Sequence, residues 1–284
     1  STMRKVGVIG AGTMGAAIAQ HFCMKELEVT LMDMVDDGLE KGKKNIENSL
    51  DEAVNRKIIS EAQKNNIFSK LVTTTDIEEL QDCDYIVEAV FENFEVKYDL
   101  FTKLDQCLSD KTIVASNTSS FSIADLAKAF KNPKRFLGVH YFFHAAKNKL
   151  IEIIPGKETD IQYVNALYDF YSYHGKLPII VGDVQGFAVN RFFVPWLNEA
   201  ARLLEEGLGT TGQIDQVSMD VFKVGMGPFA LMNATGVPVA MHAAQTLCDA
   251  FGQFYLPTKI LKQQVIKKMN WSIEANPDLL DEDN

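Results

Sequence analysis

Apolar residues follow one rhythm up to about residue 185 and a different one beyond it. In the first part, short runs rich in Val and Ile alternate with amphipathic stretches of helical period. Runs at 6–9, 29–32, 71–74, 85–90, 112–115, 136–139, 149–154 and 177–181 read as strands. Helical stretches fall between them at 94–108, 123–130 and 160–173. A polar segment, 36–70, carries a helical stripe of Leu39, Ile46, Leu50, Val54 and Ile58. Strands separated by helices predict a mostly parallel, doubly wound α/β sheet. Beyond Gly186 the stretches 187–206, 211–222, 228–250 and 257–268 all have helical period, and no further strand is predicted. The boundary falls within 183–186, giving an α/β domain over 1–184 and a helical domain over 185–284. Pro195 predicts a kink in the first of these helices, and the acidic tail 276–284 is expected to fray.

The stretch from Lys5 to Asp33 narrows this picture. Gly10, Gly12 and Gly15 follow the first strand in G-x-G-x-x-G spacing, and a helix with Met14, Ile18 and Phe22 on one side comes next. The first glycine permits the tight turn, the second lets a pyrophosphate approach the backbone, and the third lets helix and sheet pack closely. The helix start adds unbonded N–H groups and a partial positive charge. The second strand then ends in Asp33, an acid placed to bond the adenosine ribose hydroxyls and to repel a 2′-phosphate. No Arg follows in 34–37. This order of elements predicts a Rossmann-type dinucleotide site that takes NAD in preference to NADP.

Charge excludes one class of partner. With 28 basic and 38 acidic residues the net charge is −10, unsuited to binding nucleic acid through general electrostatics. Lys41, Lys43, Lys44, Arg56 and Lys57 punctuate segment 36–70, where they form either a solvated helix face or a basic arm for a phosphorylated ligand. Cys23, Cys83, Cys107 and Cys248 are far apart and lack metal-ligand spacing, so no metal site is expected. No apolar run approaches a membrane span and no signal-peptide pattern is present, so a cytoplasmic location is expected.

A nicotinamide that takes hydride from an alcohol needs a proton acceptor beside it, and histidine suits that role near neutral pH. Of the five histidines, His21 and His242 lie in helical stretches, and His174 ends a helix, where a cation would suit the dipole. His140 differs because it closes the strand 136–139, and ligands of doubly wound sheets bind beyond the C-terminal strand ends. Glu152 lies in a later strand, flanked by Ile151 and Ile153. A buried carboxylate there needs a partner, and an imidazole N–H is a suitable one. The predicted dyad has Glu152 orienting His140.

With these residues in view, the chain resembles the L-3-hydroxyacyl-CoA dehydrogenase family, including its 3-hydroxybutyryl-CoA dehydrogenases. The resemblance runs through the glycine turn, Glu88-Ala89-Val90-Phe91-Glu92-Asn93, Ala115-Ser116-Asn117-Thr118-Ser119-Ser120, Gly138-Val139-His140, Gly186-Phe187-Ala188-Val189-Asn190-Arg191 and Met226-Gly227-Pro228-Phe229. It implies NAD-dependent, reversible oxidation of an (S)-3-hydroxyacyl-CoA, as in fatty acid and butanoate metabolism. His140 would be the general base or acid, Glu152 its partner, Ser119 a hydrogen-bonding group for the substrate oxygen, and Asn190 a group that positions the acyl. Thr13, Met14, Ala89, Asn117, Glu92 and Lys97 would join the glycines and Asp33 in holding NAD, the last two near the nicotinamide ribose. The resemblance also implies an acyl-CoA bound between the domains and a homodimer formed by the helical one. Read on their own, Ser119 and Asn190 could be helix caps, and Glu92 with Lys97 a surface ion pair.

The chain departs from the family pattern after the histidine. Phe143 and His144 stand where Asn-Pro is usual, Gln185 replaces a Pro, and Ala230 and Asn233 replace common acids. An altered acyl preference is the expected result, with His144 either lining the pocket or a loop side chain. Two rival readings are a dehydrogenase of a free hydroxy acid or sugar acid, and a non-catalytic, crystallin-like NAD-binding protein.

Overall fold

The computed structural model describes residues 3–274. The predicted strands are β1 (Lys5–Ile9), β2 (Glu28–Met32), β3 (Leu71–Thr74), β4 (Tyr85–Glu88), β5 (Ile113–Ser116), β6 (Phe136–Tyr141), β7 (Leu150–Pro155) and β8 (Leu177–Ile180). They form one sheet in the order β3-β2-β1-β4-β5-β6-β7-β8. All neighbours from β3 to β6 are parallel, β6 and β7 are antiparallel, and β7 and β8 are parallel again. Every residue of β4, β5 and β6 is buried, as expected for central strands covered on both faces. The strand order reverses between β1 and β4, and the crevice at such a reversal is where this architecture binds ligands.

Helices α1 (Thr13–Met24), α2 (Asp36–Asn55), α3 (Glu61–Phe68), α4 (Phe94–Cys107), α5 (Ile123–Ala127) and α6 (Ile161–Tyr173) complete the first part. Ile18 and Phe22 of α1 pack with Val6, Val8 and Leu31 of the sheet in one buried core. The stripe predicted through 36–70 ends early. Lys57, with φ of 58°, turns the chain after α2, and Ser60 with Gln63 forms a capping box that starts α3. Ile58, 65% exposed, falls in this break and is not part of the core. Strand β4 stops at Glu88, two residues before the expected end, because the Glu88 carboxylate accepts the Val90 N–H and turns the chain.

The chain divides between Val184 and Gln185. The second unit contains α7 (Asn190–Glu205), α8 (Thr211–Phe222), α9 (Pro228–Thr235), α10 (Val237–Phe251) and α11 (Lys259–Ile266). Its core gathers Leu197, Ile214, Phe229, Met232, Val237, Leu261 and Trp271. Pro195 lies within α7. The single helix expected over 228–250 is two, because Gly236 takes φ of 105° and Pro238 begins a new helix. Helix α9 has no cap of its own, and Asp215 of α8 supplies one by accepting the N–H groups of Phe229 and Ala230. The tail 276–284 lies outside the described residues.

Candidate active site

The glycine turn links β1 to α1 at the topological switch point. Gly10 has φ of 102°, and a side chain there would meet the Ala89 carbonyl oxygen at 2.6 Å. A Cβ on Gly15 would lie 1.7 Å from the Gly10 carbonyl oxygen, so α1 can start here only with glycine. Gly12, by contrast, faces open space. The start of α1, at Thr13 and Met14, has no side-chain cap and no acid in its first turn. These uncapped N–H groups suit a pyrophosphate. Asp33 is held at the turn by the Ala11 N–H, which donates to its Oδ2 at 2.8 Å. The residues present therefore fit a dinucleotide whose ribose reaches Asp33 and whose phosphates meet α1.

The dyad arises from register. His140 and Glu152 are directly opposed partners in the antiparallel pair β6–β7, so their side chains share one face of the sheet. His140 Nδ1 lies 2.9 Å from Glu152 Oε1. Glu152 is fully buried, and His140 is 8% exposed. A carboxylate accepts, so this contact selects the tautomer with hydrogen on Nδ1 and the lone pair on Nε2. His140 lies inside β6, one residue before its end, and Phe142 packs against its ring at 4.7 Å. The expected twelve-residue spacing thus corresponds to one hairpin that folds the two side chains together.

The ends of β4 and β5 carry a second polar group. Glu92 accepts the Ser119 N–H at 2.9 Å, the Ser119 hydroxyl at 3.2 Å and the Thr118 hydroxyl at 2.9 Å. Lys97 is no surface residue: it is 1% exposed, and its Nζ reaches Glu92 at 3.5 Å and Glu88 at 2.5 Å. Ser119 is not a helix cap either, because Ser122 caps α5. Asn117 Oδ1 accepts the Tyr141 N–H at 2.8 Å, joining the β5 turn to the strand that carries His140. Glu88 was not among the residues singled out from sequence, yet it is the most enclosed acid of this group. Its position at the end of the apolar run Tyr85-Ile86-Val87 was the available signal.

Residues 5–184 match the family described as 3-hydroxyacyl-CoA dehydrogenase, NAD binding domain, and residues 186–270 match its C-terminal domain. The chain belongs to the 3-hydroxyacyl-CoA dehydrogenase family. It is 34% identical over 266 residues to 3-hydroxybutyryl-CoA dehydrogenase of Bradyrhizobium diazoefficiens, covering 93% of this chain and 91% of that one. Against human mitochondrial hydroxyacyl-coenzyme A dehydrogenase the identity is 38% over 241 residues, covering 83% and 77%. The crystal structure of (S)-3-hydroxybutyryl-CoA dehydrogenase from Ralstonia eutropha superposes with a TM-score of 0.83 at 32% identity, covering 94% and 95%. Family membership makes this chain an NAD-dependent oxidoreductase.

Other dehydrogenase-family positions fall as follows. Asn190 opens α7 in the second unit, where Val189 is the capping position and bonds no N–H through its side chain. His144, in the loop between β6 and β7, accepts the Ala146 N–H on Nδ1 at 3.1 Å, and burial holds its pKa below the ordinary value. It is thus a neutral, loop-bonded ring. His21 is 2% exposed, and burial, then the charge of Lys176, pushes its pKa down to about 2. His174 does not favour the cation expected at its helix end, because burial and Lys25 lower its pKa. Burial raises Cys23 and Cys83 to about 12, leaving them inert thiols. Among the described residues no helix is long and apolar enough to cross a membrane.

The loop after His140 is held by Lys176, whose buried Nζ donates to the carbonyls of Ala145 at 2.6 Å and Asn148 at 2.5 Å. Burial, aided by Lys25, lowers the Lys176 pKa to about 8. Between that value and the ordinary lysine value the unfolded chain binds more protons than the folded one, so Lys176 makes stability rise with pH across this window. In a Lys176→Met variant that contribution is lost, so wild-type stability should climb relative to the variant's across the window, whatever slope Cys23 and Cys83 add to both. Denaturant midpoints of both proteins at several pH values between about 7.5 and 10.5 test it, and parallel curves would contradict it.

Proposed function

We propose that this protein catalyses the reversible, NAD-dependent oxidation of (S)-3-hydroxyacyl-CoA to 3-oxoacyl-CoA, with His140 as general base and acid. The observation that carries this reading is the buried His140–Glu152 contact of 2.9 Å on adjacent strands, in a chain of this family. In the oxidative direction the substrate hydroxyl gives its proton to His140 Nε2. Glu152 keeps the Nδ1 hydrogen in place and balances the imidazolium that forms. The Ser119 hydroxyl bonds the substrate oxygen as its charge changes. Bound NAD supplies the acceptor for the hydride that leaves C3.

We assign the cofactor to Gly10, Gly12, Thr13, Met14, Gly15 and Asp33, with Ala89, Glu92, Lys97 and Asn117 toward the nicotinamide. For Lys97 the burial of its Nζ favours acting through Glu92 over a first contact of its own. The role of Asn190 in polarising the acyl group rests on its motif. We assign the helical unit as the dimer contact, supported by the exposed side chains of Phe192, Val217, Val221 and Phe222. Division of labour follows, with residues 1–184 binding cofactor and 185–284 serving substrate and assembly. A cytoplasmic location fits the same reading.

A comparison of acetoacetyl-CoA with free acetoacetate, each with NADH, tests the substrate class. The reading expects turnover of the thioester and at least about 100-fold poorer kcat/KM for the free acid, since remote binding energy is used in the transition state. Equal use of both would favour the free-acid dehydrogenase, and no turnover of either would favour a non-catalytic protein.

A further inference from the structure

The polar group behind Ser119 contains one acid that the reaction as described does not use. Glu88 is fully buried at the end of β4. It accepts the Val90 N–H at 2.7 Å, the Ser116 hydroxyl at 2.6 Å and Lys97 Nζ at 2.5 Å. A buried carboxylate is costly without partners, and this one has a complete set drawn from the turn after β4, from β5 and from α4. Lys97 Nζ also donates to the Val90 carbonyl at 3.0 Å and pairs with Glu92 at 3.5 Å. Glu92 in turn holds Ser119.

We propose that Glu88 is a positioning residue for the reaction: through Lys97 it fixes Glu92, and Glu92 fixes the Ser119 hydroxyl. This rests on the role of Ser119 given above. The distances describe a graded hold. Lys97 sits closer to Glu88 than to Glu92, so Glu92 keeps lone pairs for the β5 turn. Glu92 bonds the Ser119 backbone N–H at 2.9 Å and its hydroxyl at 3.2 Å. The backbone bond anchors the turn, and the longer hydroxyl bond can be exchanged for a substrate oxygen without releasing it. With two acids around one lysine the group keeps a net negative charge, which leaves Glu92 an acceptor. Neutralising Glu88 removes the charge that opposes Glu92 at Lys97, shortens the Lys97–Glu92 pair and draws Glu92 off Ser119.

The test combines E88Q, which keeps the shape of the side chain, with S119A and the double variant. Substituting a residue that orients a reacting group costs on the order of 10- to 100-fold, so E88Q should lower kcat for acetoacetyl-CoA about 10-fold or more. NADH affinity, read by direct titration, should fall less than kcat does, since Glu92 and Lys97, which E88Q shifts, also face the nicotinamide end of the cofactor. In the S119A background E88Q should cost less than about twofold further, since the two side chains act as one unit. E88D keeps the charge opposite Lys97 and serves where E88Q does not fold: its loss should be smaller and should vanish equally without Ser119. An E88Q or E88D loss of the same size in both backgrounds, or none in either, overturns the proposal. Wild-type kcat in S119A alone would instead remove the assigned role of Ser119, and this proposal with it.

Discussion

Replacing His140 with Gln should lower kcat about 10³-fold, within the range that a positioned acid–base group contributes. Glutamine fills similar space and can still meet Glu152 through its amide N–H, so the hairpin and the sheet should persist. It has no lone pair of suitable basicity where Nε2 stands, and the substrate hydroxyl would lose its proton acceptor. NADH binding should remain within about threefold, because the glycine turn and Asp33 are untouched. Steady-state rates with acetoacetyl-CoA and NADH, alongside an NADH titration, separate the two effects. A folded variant that binds NADH and turns over at the wild-type rate would contradict the assignment.

Glu152→Gln should follow with a loss on the order of 10²- to 10³-fold in kcat, by a different route. Glu152 is fully buried against His140, so its charge is poorly screened from the imidazolium that forms during oxidation. The amide is neutral and can present either an acceptor or a donor to Nδ1. Where it presents the donor, the ring carries its lone pair on Nδ1 and the hydrogen on Nε2, the wrong tautomer for a base. Without the carboxylate the imidazolium is less stable, so the loss should be greater in the reductive direction and should grow as pH rises, where His140 must hold the proton it donates. Equal pH profiles for wild type and variant would argue that Glu152 only fills space.

The site was legible wherever one residue type at one position implied a chemical need. An acid between Ile151 and Ile153 demanded a partner, and His140 at a strand end offered one. Antiparallel pairing of β6 and β7 then satisfied both, although their register could not be read from periodicity. Glu88 after Tyr85-Ile86-Val87 makes the same demand, but its partner Lys97 lies across a turn and on a helix. Pattern matching within one element does not see such a pair. Without the family resemblance Lys97 and Glu92 could equally be a surface pair, since helical spacing says nothing about what covers a side chain.

The fold was legible where apolar runs had no competitor. Eight strands and their order of appearance followed from the runs themselves. Errors collected at breaks. Lys57 and Gly236 interrupt stretches whose apolar spacing continues across them, and positive φ at a single residue leaves little trace in a hydrophobic pattern. His174 does close α6 as expected, but burial and Lys25 lower its pKa and work against the favourable end of the helix dipole.

The most direct measurement is the rate of NADH formation from NAD with (S)-3-hydroxybutyryl-CoA and, separately, with its (R) enantiomer. The account predicts steady turnover of the (S) thioester, abolished to about one part in a thousand by His140→Gln, and little or none of the (R) form. A folded wild-type protein that binds NAD and leaves the (S) thioester unchanged would contradict it.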